Sequence, residues 1–247
     1  MKFKIDHVVI AVSDLERAKE DYGSLGFNVQ VGGKHAGRTS HNALIVFADG
    51  TYIELIAWTG PAQERWYDLH AKHGEGLIDF ALLPEDTPGA VAEAASRGLA
   101  MAAPQDGGRV RPDGQELRWQ IARQPSFDLP FLCGDVTPRD LRVPPDDMRK
   151  HVNGAKGIAS LSVLVKDLEA SKARYAALLG PAVAIEPTGL RLGSTRLRLV
   201  APGNDPERRQ RLADRGEGPY ALEIAAGVPR RRLDMKRTHG VPIEIGN

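Results

Sequence analysis

Glu54 lies in the middle of Thr51-Tyr52-Ile53-Glu54-Leu55-Ile56-Ala57-Trp58, an apolar run with the β-branched and aromatic content of a strand. A carboxylate in such a place is costly unless it is paired, hydrogen-bonded or bound to a cation. His7 occupies a similar run, Ile5-Asp6-His7-Val8-Val9-Ile10-Ala11-Val12. An imidazole and a carboxylate on neighbouring strands can hold a metal ion, move a proton, or hydrogen-bond to each other in the wall of a binding cleft. Glu54 and His7 are therefore the candidate catalytic pair. The candidate substrate contacts are His41 and Asn42 at a strand entry, Tyr52 and Trp58 beside Glu54, and Arg111 in Gly107-Gly108-Arg109-Val110-Arg111-Pro112-Asp113-Gly114. Each has a plain counterpart: a strand-end hydrogen bond, aromatic packing in a β core, or a solvated hairpin end.

The elements that must position these groups recur along the chain. Ile5, Val12, Asp14, Leu15, Glu16, Lys19 and Tyr22 match Ile158, Val165, Asp167, Leu168, Glu169, Lys172 and Tyr175 without a gap, and both stretches end on Leu-Gly. Each copy reads as an apolar strand, an aspartate N-cap, and a helix stopped by glycine. In the first copy Asn28 to Gly32 supplies a second strand. His41 to Ala48 then turns at Asp49-Gly50 and returns as Thr51 to Trp58. With a two-residue turn, Glu54 pairs opposite Ile45 and shares a face with His41, Ala43, Tyr52 and Ile56. Val8, Ile10 and Val12 pack on the helix, which leaves His7, Val9 and Ala11 toward the cleft.

Weaker copies of this β-α-β-β-β unit fill the remaining sequence. The second takes Leu77 to Leu83, a helix over Thr87 to Arg97, and strands near Leu117 to Arg123 and Leu129 to Cys133. The third runs from Ile158 to Val200 with a turn at Gly193-Ser194. The fourth has a strand over Tyr220 to Ala225, a helix across Arg230 to Thr238 and a last strand over Val241 to Ile245, and lacks its final hairpin. A helix through Trp66 and Leu69 joins the first two units. A proline-rich linker from Val136 to Gly157 separates the halves, which gives domains at residues 1–140 and 155–247. The expected fold is α+β, with units paired into two curved mixed-sheet modules, helices outside, and a truncated fourth unit.

Composition narrows the function. Of 247 residues, 33 are Lys or Arg and 32 are Asp or Glu, so a net charge of +1 gives no pull toward nucleic acid or a membrane surface. The single cysteine, Cys133, excludes an intramolecular disulfide and an all-thiolate metal site. No apolar run reaches the ~20 residues of a membrane helix and no secretion signal is recognisable, so the expected location is cytoplasmic. Exposed sheet edges on the truncated unit favour a homodimer.

Four such units, with His41-Asn42-Ala43-Leu44-Ile45-Val46-Phe47, Asp49-Gly50-Thr51-Tyr52-Ile53-Glu54-Leu55-Ile56 and His151-Val152-Asn153-Gly154-Ala155, resemble the glyoxalase, bleomycin-resistance and extradiol-dioxygenase (vicinal-oxygen-chelate) superfamily, and its uncharacterised glyoxalase-like group in particular. That resemblance implies a small-molecule enzyme of lyase, isomerase or dioxygenase type acting on a substrate with adjacent oxygens. It also implies one divalent metal (zinc, manganese, iron or nickel), with His7 and Glu54 at the family's ligand positions. The alternative it implies is a non-catalytic, ligand-sequestering protein of the same fold. The second unit places Phe80 where His7 stands and Leu132 where Glu54 stands; the third offers Ser160 and Arg198. His41 would lie roughly 13 Å along the strand from Glu54, so the ligand set read from the sequence stops at two residues.

Overall fold

A computed structural model describes residues 3–111 and 113–247. The first half contains β1 (Phe3–Ala11), α1 (Leu15–Ser24), β2 (Gln30–His35), β3 (Ser40–Val46), β4 (Tyr52–Trp58), α2 (Arg65–His73), β5 (Gly76–Pro84), α3 (Thr87–Ser96), β6 (Gln105–Val110), β7 (Glu116–Ala122) and β8 (Phe131–Asp135). After α4 (Arg139–Arg142) come β9 (Ala155–Leu164), α5 (Leu168–Leu179), β10 (Ile185–Glu186), β11 (Gly189–Leu192), β12 (Thr195–Val200), α6 (Pro206–Arg215), β13 (Gly218–Ala226), β14 (Arg231–Arg232) and β15 (Ile243–Gly246).

Strands β1 to β8 close into a barrel in the order β1-β4-β3-β2-β6-β7-β8-β5, and the remaining seven form an open sheet, β10-β11-β12-β9-β13-β15-β14. The repeated aspartates do what their positions suggest: Asp14, Asp86 and Asp167 each accept a hydrogen bond from a backbone amide in the first turn of α1, α3 and α5. Leu15, Ala18 and Tyr22 of α1 then bury against Val8, Ile10 and Val12 outside the barrel, and this apolar core continues to Ile243 and Ile245 in the second sheet. Val9 and Ala11 face inward with Ile56, Phe131 and Cys133. The α+β architecture of paired, repeated units with outer helices is present.

Several expected details change. The β3–β4 turn is a three-residue loop, because Phe47 N bonds to Thr51 O and Gly50 sits at φ +82. Asp49 Oδ1 holds it by accepting from Thr51 N and Oγ1. One added loop residue shifts the register by one, so Glu54 pairs with Leu44 and not Ile45. Consequently Asn42, Leu44 and Val46 face the same side as Glu54, whereas Ala43 and Ile45 join the outer core. The second strand begins at Gln30 and not Asn28. The truncated fourth unit has no helix over 230–238: Arg231 and Arg232 pair with Ile245 and Glu244 as a two-residue edge strand. Arg230 there is tied to Glu223 and Glu244, and Arg198 to Glu223, so these two arginines are neutralised by carboxylates.

Candidate functional site

The barrel encloses a cavity of about 470 Å³ that contains both His7 and Glu54. A β-bulge at Asp6 makes the His7 end: Ile5 pairs with Leu82 and His7 with Ala81, so Asp6 is left over. The bulge lets two consecutive side chains meet, and His7 Nδ1 lies 2.7 Å from Asp6 Oδ2. Asp6 is fully buried, and Arg142 and Arg139 reach it at 2.6 and 2.8 Å. Burial by itself would raise the Asp6 carboxyl; Arg142, the His7 bond and Arg139 outweigh it and hold the group far below the ordinary carboxylate range. An ionised Asp6 only accepts hydrogen bonds, so Nδ1 of His7 carries the hydrogen and Nε2 turns to the cavity.

Glu54 is 5% exposed. Its Oε1 accepts from Asn42 Nδ2 at 2.7 Å. His7 Nε2 stands 3.5 Å from Oε2 and His35 Nε2 stands 3.6 Å from Oε1, both beyond good hydrogen-bond range. Oε2 therefore has no hydrogen-bond donor among the described residues. Burial lowers the His35 imidazole against the opposing pull of Glu54, and its Nδ1 lies 3.0 Å from Ser40 Oγ. Tyr52 stacks on His7 at 4.5 Å between centroids, and its hydroxyl accepts from Arg142 Nη1 at 2.7 Å. Burial pushes the Tyr52 phenol well above its ordinary value, although Arg142 works in the other direction.

The family model for a glyoxalase-like domain matches residues 5–179. This chain belongs to that family. Its fold is similar to that of a hypothetical protein from Staphylococcus aureus, at TM-score 0.76 and 15% identity, covering 99% of this chain and 100% of that one. It is also similar to a mutant 4-hydroxymandelate synthase from Streptomyces coelicolor, at TM-score 0.64 and 16% identity, over 96% of this chain and 78% of that chain. A xylose isomerase-like TIM barrel/4-hydroxyphenylpyruvate dioxygenase fusion protein matches at TM-score 0.54 and 17% identity, over 94% of this chain and 40% of that one. None of the curated proteins compared matches the sequence. The vicinal-oxygen-chelate fold is thus shown for this glyoxalase-like chain.

The metal implied by that resemblance needs about three protein donors converging on one point. Among the described residues no group of three or more His, Cys, Asp or Glu does so. His7 and His35 address different oxygens of Glu54, and Asn42 already occupies one of them. The second half of the barrel lines the cavity with Asp106 and Glu116, but among the described residues these complete no three-donor group with His7 and Glu54. Aligning the units on the caps Asp14 and Asp86 sets Asp79, and not Phe80, in the place of His7. Asp79 is engaged by Arg123 at 2.7 Å and by Trp66 Nε1 at 2.8 Å. Phe80 and Leu132 belong to the outer core, while Phe131 and Cys133 line the cavity. Burial pushes the Cys133 thiol up to about 12, so it is a poor ligand at neutral pH. The donor set does not fit a three-ligand metal centre.

Of the proposed substrate contacts, Asn42 and Tyr52 line the cavity with Glu54 and His7. His41 does not, because the register shift turns it away. Trp58 stays on Glu54's face but sits at the strand end, where it bonds Glu64 and stacks on His70. Arg111 lies past β6, bonded to Leu141 O and paired with Asp113, outside the cavity wall. Three other residues take its place. His35 and Arg109 enter from β2 and β6, and Arg142 arrives from α4 in the stretch read as a linker. The segment around Arg109 looked like a loop because of Gly107-Gly108. It is a strand whose glycine makes room for a tryptophan: a Cβ on Gly107 would stand 2.4 Å from Trp119 Nε1.

Proposed function

We propose that this chain is a small-molecule enzyme that moves a proton on a substrate carrying adjacent oxygens, with Glu54 as the base. The observation that carries this reading is the carboxylate's asymmetric setting. Asn42 fixes one oxygen, and the other is free of hydrogen-bond donors among the described residues, at the wall of a cavity of about 470 Å³, within the size range of small-molecule sites. A base held this way is oriented without being neutralised, as abstraction of a proton α to a carbonyl requires.

In an α-hydroxycarbonyl compound Glu54 takes the carbon-bound proton, leaving an enediolate. The Nε2 of His7, oriented toward the cavity by the Nδ1–Asp6 bond, takes the hydroxyl hydrogen and delivers it to the neighbouring oxygen. Return of a proton from Glu54 to the adjacent carbon completes an isomerisation in which the proton count balances, and deuterium enters that carbon whenever the Glu54 carboxyl proton exchanges with solvent before its return. The low exposure of His7, Tyr52 and Glu54 keeps bulk water from competing for the intermediate.

The test is exchange of solvent deuterium into α-hydroxyketones and 1,2-dicarbonyl compounds, followed by proton NMR, with Glu54→Gln as control. Exchange that is abolished in Glu54→Gln and survives chelator treatment supports the proposal. Binding of these compounds with neither exchange nor isomerisation in the wild type overturns it in favour of ligand sequestration. Loss of exchange on chelation, with recovery on metal addition, overturns the direct proton-transfer scheme.

A further inference from the structure

The cavity holds a second charge that the proton-transfer scheme does not use. Arg109 is 5% exposed, and its guanidinium lies in the cavity wall on the opposite half of the barrel's repeat from Glu54. The other buried or half-buried arginines of the wall are matched, Arg142 with Asp6 and Asp135 and Arg123 with Asp79, while Arg38 and Arg118 are exposed to solvent. Arg109 has no carboxylate within ion-pair distance among the described residues. Its hydrogen bond is a long one of 3.4 Å, from Nη2 to the carbonyl of Arg142. Burial lowers its guanidinium below the ordinary value, with Tyr52 and Glu54 opposing that shift. A desolvated cation without a partner is destabilising, so its retention here calls for an anion brought from outside.

We propose that Arg109 anchors a carboxylate of the ligand, and that this cavity takes a monoanion with a flat apolar body. The inference rests on reading the cavity as the substrate site and adds the chemical class of what enters it. One guanidinium matches one carboxylate in a two-pronged arrangement. With Glu54 also in the wall, a dianionic phosphate would find too little positive charge. Trp66, Trp119, Phe131, Ile56 and Ile121 supply the apolar walls. Phe131 meets Trp66 at 64° and His7 at 77°, an edge-on box that suits a planar ring system. Arg109 is a binding residue in this assignment, and the ligand's orientation follows from charge: its carboxylate goes to Arg109 and away from Glu54.

The test compares 2-naphthoate, 2-naphthamide and 2-naphthyl phosphate by calorimetric titration of the full chain. Naphthoate is expected to bind at least about tenfold more tightly than the amide, the scale of a hydrogen bond to a charged group, and more tightly than the phosphate. Arg109→Met should remove that preference while leaving the amide affinity unchanged, and its thermal midpoint should not fall, because an unpaired buried charge is lost. Arg109→Lys keeps the charge without the fork and should retain part of the preference; it serves if the methionine variant does not fold. Equal affinity for naphthoate and amide, no binding of naphthoate, tighter binding of the phosphate, or an unchanged preference in Arg109→Met each overturns the proposal. Glu54→Gln separates this idea from the proton-transfer reading. It should keep the naphthoate preference while losing deuterium exchange. A wild type that prefers carboxylates yet shows neither exchange nor isomerisation keeps the anchor and removes the base.

Discussion

Replacing Asp6 with asparagine deletes one negative charge from the most buried ion-pair network in the barrel while nearly conserving side-chain volume. Arg142 Nη1 and Arg139 Nη1 then lose a partner at 2.6 and 2.8 Å, and His7 Nδ1 loses a charged acceptor at 2.7 Å. Breaking a buried pair from one side costs about 3–5 kcal/mol. Both arginines keep Asp135, Arg142 at 2.6 Å and Arg139 at 3.0 Å, so the lower end, about 3 kcal/mol, is expected. In a chain of this length that is a fall of roughly 6–12 °C in thermal midpoint. The pH dependence carries the sign. The folded carboxyl lies far below its ordinary value. Its contribution is therefore complete above about pH 4 and is lost as the pH falls through the acid range toward the folded value. Guanidinium denaturation of both proteins should show the full gap at pH 7 and a shrinking one below about pH 4. A gap under about 1 kcal/mol at pH 7, or one that stays constant into acid, would refute the account of Asp6 as an ionised, buried partner of Arg142.

Two further outcomes are expected. Burial lowers the His35 imidazole, so the folded state binds fewer protons than the unfolded chain, and this contribution is present above about pH 6.5 and lost as the pH falls below it. His35→Gln should flatten the decline in stability between about pH 6.5 and 5; parallel curves for the two proteins would rule this out. In Gly32→Ala the new Cβ would stand 2.0 Å from Asn42 Oδ1 and 3.0 Å from its backbone oxygen. Asn42 must then leave Glu54, at a cost of about 1–3 kcal/mol in denaturant and with a drop in deuterium exchange. A variant as stable and as active as the wild type would show that the Asn42–Glu54 bond is dispensable.

Local signals in the sequence determined the elements and their outer faces. Asp14, Asp86 and Asp167 cap helices whose apolar stripes follow a 3.6-residue period, and these depend on neighbours within a turn or two. The expense of a carboxylate between Ile53 and Leu55 was equally legible, as was the inward parity of His7, Val9 and Ala11. Tertiary structure decided what surrounds them. One extra residue in the loop at Asp49-Gly50 exchanged His41 for Asn42 beside Glu54, because strand parity has a period of two and turn length fixes it. Gly107 and Gly108 read as a loop because their packing is not local: a Cβ on Gly107 would meet Trp119 and one on Gly108 the carbonyl of Leu117, and the strand they form carries Arg109 into the cavity wall. Arg142, 136 residues from Asp6 along the chain, meets it only once the barrel has closed. Periodicity and capping are near-neighbour effects written in the residues themselves, whereas charge partners within a barrel come from chain closure, which no local pattern records.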